Sequence, residues 1–310
     1  MKIEQIYTGC LSQGAYYIHS DGEAAIIDPL REVAPYIERA ERDGVVIKYI
    51  FETHFHADIV SGHVDLAQKT GATIVYGPTA ETGFEAHIAK DGALLTLGKT
   101  QIKVLHTPGH TMESTCYLLV DESGKETALF SGDTLFIGDV GRPDLAVKTD
   151  LSKEDLAAHL YDSLRHKIMP LADDIVVYPA HGAGSACGKN MSKETFDTLG
   201  HQKQTNHALR ADLTKEDFIQ VVTNGLGTAP LFFPINARWA LCALGSGFDR
   251  RSPTAHCAGR CSGSRKRGHL PFVQSRLRPN IGVFGRRHGR LASHVQGRGC
   301  HHLRLRYSTG

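Results

Sequence analysis

The sequence predicts an α+β fold for its first 237 residues, two sheets with helices on their outer faces. Three observations carry this expectation. Short apolar, β-branched runs recur between turns rich in Gly, Pro and Asp, as strands do. Helical periodicity is confined to a few segments, so strands and helices do not alternate strictly as they would in a parallel sheet. The tight Asp21-Gly22 turn joins two adjacent strand runs and makes them antiparallel neighbours.

Taken in order, Met1 to Tyr7 reads as an amphipathic strand rather than a signal peptide. Ala15 to Ile18 and Ala24 to Ile27 form the hairpin, and Asp28-Pro29 ends its second strand. Val33 to Asp43 is helical up to Gly44, Val45 to Phe51 is a buried strand, and Val64 to Thr70 is a short helix capped by Gly71. Thr73 to Tyr76, Ile102 to Leu105, Thr115 to Val120 and Ala128 to Phe130 continue the strand series. Ser152 precedes Glu154 and Asp155 as an N-cap should, opening a helix that runs to about Lys167. Asp174 to Tyr178 is the last strand expected. Helices then cover Lys193 to Leu209 and Thr214 to Asn224, the second again opened by a capping Thr.

A chain of 310 residues can bury a sizeable core in one large or two ordinary domains. It has no run of about eighteen apolar residues, so a membrane span is not expected. Cys10, Cys116 and Cys187 lie far apart and no Cys-x-x-Cys pair exists, which points to a reducing compartment, the cytoplasm by default. The net charge of +2 hides a split. Residues 1 to 237 hold 20 Lys and Arg against 32 Asp and Glu, whereas residues 238 to 310 hold 15 bases and one acid, Asp249. Fourteen of those bases are arginine, and apolar periodicity disappears, so an irregular, disordered basic tail is expected there. Translation in a shifted reading frame accounts for arginine almost without lysine. A basic arm that binds nucleic acid ranks second, because this stretch carries many Leu, Phe and Val, so no nucleic-acid partner is expected.

The stretch that carries chemistry is Thr53-His54-Phe55-His56-Ala57-Asp58, placed between a strand and a helix. Imidazole nitrogen and carboxylate oxygen are the donors that borderline first-row metals accept, and a strand end can hold them. Further strand ends add His110 in Thr107-Pro108-Gly109-His110, Asp133 in Ser131-Gly132-Asp133 and His181 in Tyr178-Pro179-Ala180-His181. The glycine loop Gly138 to Asp144 adds Arg142. Each alone is a common turn former; in this order they read as a metal site.

This series resembles the metallo-β-lactamase superfamily. Within it, Thr-His-x-His-Ala-Asp with the Gly138 to Asp144 loop looks like the persulfide dioxygenases, non-haem iron enzymes of sulfide oxidation. The segment Tyr178 to Leu209, with Gly188-Lys189-Asn190-Met191-Ser192, looks like the bacterial forms fused to a rhodanese domain. The resemblance covers residues 1 to 237. It implies an αββα sandwich with the metal at the sheet edges, and makes the tail a frameshifted remnant of a linker and rhodanese domain. Cys261 faintly resembles a sulfur-transfer loop but lacks a preceding strand.

Dinuclear zinc hydrolases such as glyoxalase II follow the aspartate with a histidine, where this chain has Ile59, which has no donor atom. One metal is therefore expected. The resemblance places one Fe(2+) per chain on His54, His110 and Asp133, a facial triad with open positions. It implies oxidation of glutathione persulfide by O2 to sulfite and glutathione, with a homodimer as the family's habit. His56, Asp58 and His181 would orient ligands or shuttle protons. Arg142 holds an anionic part of the substrate, or ties its own loop to Asp139 or Asp144. Tyr178 hydrogen-bonds near the metal, or packs. Lys189 and Asn190 touch glutathione, or stand at a solvated helix entrance. Cys187 is a small buried residue, with a redox handle as the rival reading. The alternatives to the dioxygenase are a zinc thioester hydrolase of the glyoxalase II type, against which Ile59 counts, and an inactive or nucleic-acid-binding protein.

Overall fold

Two six-stranded sheets, each covered on its outer face by helices, form the protein in a computed structural model that describes residues 1–145, 151–231 and 233. The basic tail expected over 238–310 lies outside the described residues. The first sheet runs β1 (Lys2–Thr8), β2 (Gln13–Ser20), β3 (Glu23–Ile27), β4 (Val46–Phe51), β5 (Thr73–Tyr76) and β6 (His87–Ile88), side by side in chain order. Its first three strands are antiparallel and the rest parallel. The second sheet places β7 (Leu94–Leu97), β8 (Thr100–His106), β9 (Thr115–Val120), β10 (Glu126–Gly132), β11 (Val176–Pro179) and β12 (Asp197–Thr198) in the same serial order. Only β10 and β11 are parallel there.

Strand alternation builds three apolar layers from this order. On β2, Tyr17 faces the layer under the helices, whereas Tyr16 and Ile18 face the other sheet; on β3, Ala24 and Ile26 part from Ala25 and Ile27 in the same way. Helices α1 (Ala34–Asp43) and α2 (His63–Thr70) cover the first sheet. Helices α3 (Lys153–Ser163) and α5 (Lys215–Thr223) pack with Leu118, Leu129 and Val177 on the second. The αββα arrangement expected from the resemblance is the one observed. Each fully buried Phe or Ile of the middle layer contributes about 1.5–3 kcal/mol, so that layer dominates what holds the two sheets together.

The capping residues act as their chemistry requires. Ser152 and Asp155 form a reciprocal capping box on α3, and Thr214 accepts from Asp217 N at the start of α5. Three expectations need correction. The helix expected from Lys193 begins only at α4 (Leu199–Thr205), because Asp197 and Thr198 pair with β11 and the Thr198 hydroxyl then serves as N-cap. It also stops early: Asn206 is extended and donates to Phe136 O and Asp139 O, leaving His207–Leu209 as a separate 3-10 turn. β11 is therefore not the last strand, and the short edge strands β6 and β7 were not expected at all.

Candidate metal centre

All the expected donors leave the same end of the two sheets. His54, His56 and Asp58 follow β4, His110 follows β8, Asp133 follows β10 and His181 follows β11. Backbone bonds lace these loops together: Thr115 N donates to Thr53 O at 2.9 Å, and Ala180 N to Gly132 O at 3.0 Å. Gly132 has φ +54°, and a Cβ there would lie 2.6 Å from the Thr53 side chain, so glycine lets the two loops meet.

His54, His110 and Asp133 are 2% exposed or less, with one donor atom from each inside a 4.8 Å cluster. Asp133 Oδ2 lies 3.4 Å from His110 Nε2 and 3.8 Å from His54 Nε2, and Asp133 Oδ1 lies 3.5 Å from His181 Nε2. The opposite ring nitrogens are already committed. His110 Nδ1 donates to Arg142 O at 2.8 Å, and His181 Nδ1 to Ser12 O at 3.3 Å. His54 Nδ1 meets Thr53 Oγ1 at 2.9 Å, and that hydroxyl donates to Asp28 Oδ2 at 2.8 Å. These acceptors put each proton on Nδ1 and turn each Nε2 lone pair toward Asp133.

Both carboxylate oxygens of Asp133 and Nε2 of His181 are buried without a hydrogen-bond partner. Orphaned acceptors of this kind are costly unless something positive lies among them. Burial, with His56, His110 and His181 close by, also holds His54 well below the ordinary histidine range, in the neutral form that ligates. The residues fit a divalent cation.

A second layer lies behind. Burial alone would push His56 down, but Asp28, Glu52 and Asp58 outweigh it and hold the ring up, at about 10. Its Nε2 faces Asp28 Oδ1 at 3.2 Å and Glu52 Oε2 at 3.7 Å, and its Nδ1 faces Asp58 Oδ1 at 4.0 Å. Asp28 binds Thr53 N and Oγ1, both at 2.8 Å, and so fixes the first residue of the motif. Its φ of +49° is a strained position for a non-glycine residue. Asp28 and Glu52 were not singled out in the sequence; an Asp-Pro at a strand end was the available signal. His63 opens α2, and burial, with His56 nearby, pushes it down to about 4.

The residues expected to contact substrate make these bonds within the chain. Arg142 pairs with Asp144 through Nε at 2.6 Å and Nη2 at 2.8 Å, and also donates to Ala186 O and Gly227 O. Its guanidinium ties loops together, while its carbonyl orients His110. Tyr178 stacks on Phe130 at 5.5 Å and packs edge-on against Tyr16 at 5.4 Å, within the layer between the sheets. Lys189 donates through Nζ to Val221 O at 2.8 Å and Asn224 O at 2.9 Å, at the C-terminal end of α5. The backbone amides of Lys189 and Asn190 both donate to Asp139 Oδ2 at 2.6 Å. Lys189→Ala is therefore expected to leave KM unchanged and to lower stability by up to about 1 kcal/mol, the usual value of a cation at a helix C-terminus. Steady-state kinetics and thermal unfolding check both.

The chain belongs to the metallo-beta-lactamase superfamily, whose family description matches residues 8–181. Among curated proteins, a probable hydroxyacylglutathione hydrolase of Schizosaccharomyces pombe is 32% identical over 211 residues, 61% of this chain and 78% of that one. Of two further hydroxyacylglutathione hydrolases, from S. pombe and Francisella tularensis, the matches span 58% and 61% of their length. Among solved structures, a metallo-beta-lactamase from Staphylococcus aureus superposes with TM-score 0.72 at 35% identity, covering 78% of this chain and 73% of that one. ETHE1 from Myxococcus xanthus gives 0.66 at 26% identity, covering 79% and 100%.

These names overturn the dioxygenase expectation. The curated relatives are named as hydroxyacylglutathione hydrolases, so the oxidoreductase assignment, its Fe(2+) and the use of glutathione persulfide and O2 are withdrawn. The physical reason is that two histidines and a carboxylate with open positions suit either kind of metal chemistry. Ile59 was given too much weight, since it bears on the number of cations and not on the reaction.

Proposed function

We propose that the protein is a metal-dependent thioester hydrolase acting on acyl-glutathione substrates, with a zinc-type cation on His54, His110 and Asp133. The observation that carries the cation is the convergence of three Nε2 atoms on the Asp133 carboxylate, whose oxygens have no hydrogen-bond partner. The names of the curated relatives support the reaction class. A cation held there supplies Lewis acidity toward an acyl oxygen and a lowered pKa for a water ligand.

The chain's own groups do the rest. Asp58 is the one acid of the cluster with appreciable exposure, at 12% of its side chain, and its Oδ2 stands 3.2 Å from His181 Nε2. Its carboxylate receives the proton of the attacking water. The water oxygen bonds to the acyl carbon, and the C–S bond breaks with its electron pair on sulfur. The thiolate then takes up the proton, giving a carboxylic acid and glutathione. His56, held between Asp28 and Asp58, keeps Asp58 in position. The buried thiols Cys116 and Cys187 suit a cytoplasmic setting, and no described helix is long and apolar enough to cross a membrane.

The test is hydrolysis of a hydroxyacyl-glutathione, followed by release of free thiol. Purified protein is expected to cleave it, chelation to remove the activity and added Zn2+ to restore it. Zinc-loaded protein that leaves the thioester intact would overturn the reading.

A further inference from the structure

Behind His110 two loops are joined by a buried carboxylate that the chemistry above does not use. Asp139, 1% exposed, accepts three backbone amides: Val140 N on Oδ1 at 2.9 Å, and Lys189 N and Asn190 N on Oδ2, both at 2.6 Å. His207 Nε2 stands 3.6 Å from Oδ1. A buried carboxylate is costly without such donors, and hydrogen bonds to an ionised acceptor are stronger than neutral ones.

Two of those amides lie just after Cys187, whose carbonyl accepts from Arg142 N at 3.0 Å. Arg142 is held at both of its main-chain groups, because its own carbonyl accepts from His110 Nδ1 at 2.8 Å. Residues 139–142 and 187–190 are thus linked twice, once through the Asp139 carboxylate and once through Arg142 N. Between the links, Gly141 lies so close to Asp133 that a Cβ there would be 1.9 Å from the Asp133 carbonyl oxygen. The Asp139 backbone is pinned from another side, since its carbonyl accepts from Phe136 N and from Asn206 Nδ2, both at 3.0 Å.

We infer that Asp139 is a positioning residue of the cation centre: its carboxylate locks the 139–142 loop so that the Arg142 carbonyl faces His110 Nδ1 and His110 Nε2 faces Asp133. A ligating imidazole keeps its direction only while the acceptor on its other nitrogen is itself fixed. A carbonyl in a loop containing Gly138 and Gly141 has little rigidity of its own, and the carboxylate supplies it. The role rests on the reading that places a cation on His54, His110 and Asp133.

Co2+ titration of the chelated full-length chain, followed in the visible d–d bands, tests it without substrate. Asp139→Ala is expected to bind Co2+ about ten- to a hundredfold more weakly, as loss of an outer partner of a ligand does, with shifted bands at saturation because His110 has turned. Asp139→Asn keeps a carbonyl oxygen for the Lys189 and Asn190 amides and is expected to recover part of the affinity. Wild-type affinity in Asp139→Ala, or weaker binding with unshifted bands, overturns the role. Hydrogen exchange on chelated wild type decides the matter if the variants fail to fold. The amides of Val140, Lys189 and Asn190 are expected to be protected before any cation binds, and free exchange there overturns the role. Wild type that takes up no Co2+ overturns the cation centre and this role with it, whereas wild type that binds Co2+ beside an indifferent Asp139→Ala overturns the role alone.

Discussion

Asp133→Asn is expected to cost thioester hydrolysis at least about a thousandfold and to leave purified protein with little bound cation. Asp133 is the carboxylate on which His54, His110 and His181 all converge, and neither oxygen has another partner. The amide keeps the shape, removes the charge and places an N–H2 against imidazole lone pairs. A bound cation supplies several kcal/mol of transition-state stabilisation, and each 1.36 kcal/mol is tenfold in rate, which sets the expected size. The loss of buried charge should leave thermal stability of the metal-free chain equal or higher, because uncompensated buried anions oppose folding. Elemental analysis, kcat/KM and unfolding in chelator separate these effects. An Asp133→Asn enzyme with wild-type metal content would remove the residue from the ligand set.

Gly141→Ala is the second large effect, and it acts without touching a donor group. A Cβ at Gly141 would lie 1.9 Å from the carbonyl oxygen of Asp133 and 3.0 Å from Nδ1 of His110. Both are rigid neighbours, one backbone and the other an imidazole already bonded to Arg142 O. The loop must move, and Asp133 or His110 moves with it. Overpacking of this kind costs about 1–3 kcal/mol in stability, while misplacing reacting groups by about 1 Å costs about a hundredfold in rate. A folded variant with a lower melting temperature, weakened cation binding and activity down about a hundredfold is expected. Wild-type kcat/KM would show that the loop absorbs the methyl group without disturbing the site.

Much of the site was legible because its parts are local. Thr53-His54-Phe55-His56-Ala57-Asp58, His110, Asp133 and His181 each announce themselves as donor residues at a strand end, and the structure brings them to one edge. Less was legible wherever a side chain's partner is remote in sequence. For Arg142 the sequence left an anion contact and a tie to Asp139 or Asp144 side by side, and the structure shows the Asp144 pair with the carbonyls of Ala186 and Gly227, while Lys189 sits on the end of α5. Tyr178 ends a strand near the cluster, but the alternation of β11 turns its ring into the middle layer. The helix expected from Lys193 failed for a similar reason, since pairing of Asp197 and Thr198 with β11 outweighs local propensity.

On its own, the sequence determined most of the strands apart from β6, β7 and β12, the caps of α3 and α5 and the candidate donors, because periodicity, capping and ligand chemistry are properties of neighbouring residues. Tertiary structure alone decided which donors come together, that Asp28 and Glu52 stand behind His56, and that Cys187 comes to lie beside Asp133 and His181. Those groupings depend on how two sheets stack and where their loops close, and distances between residues far apart in the chain are set by that packing rather than by spacing along it.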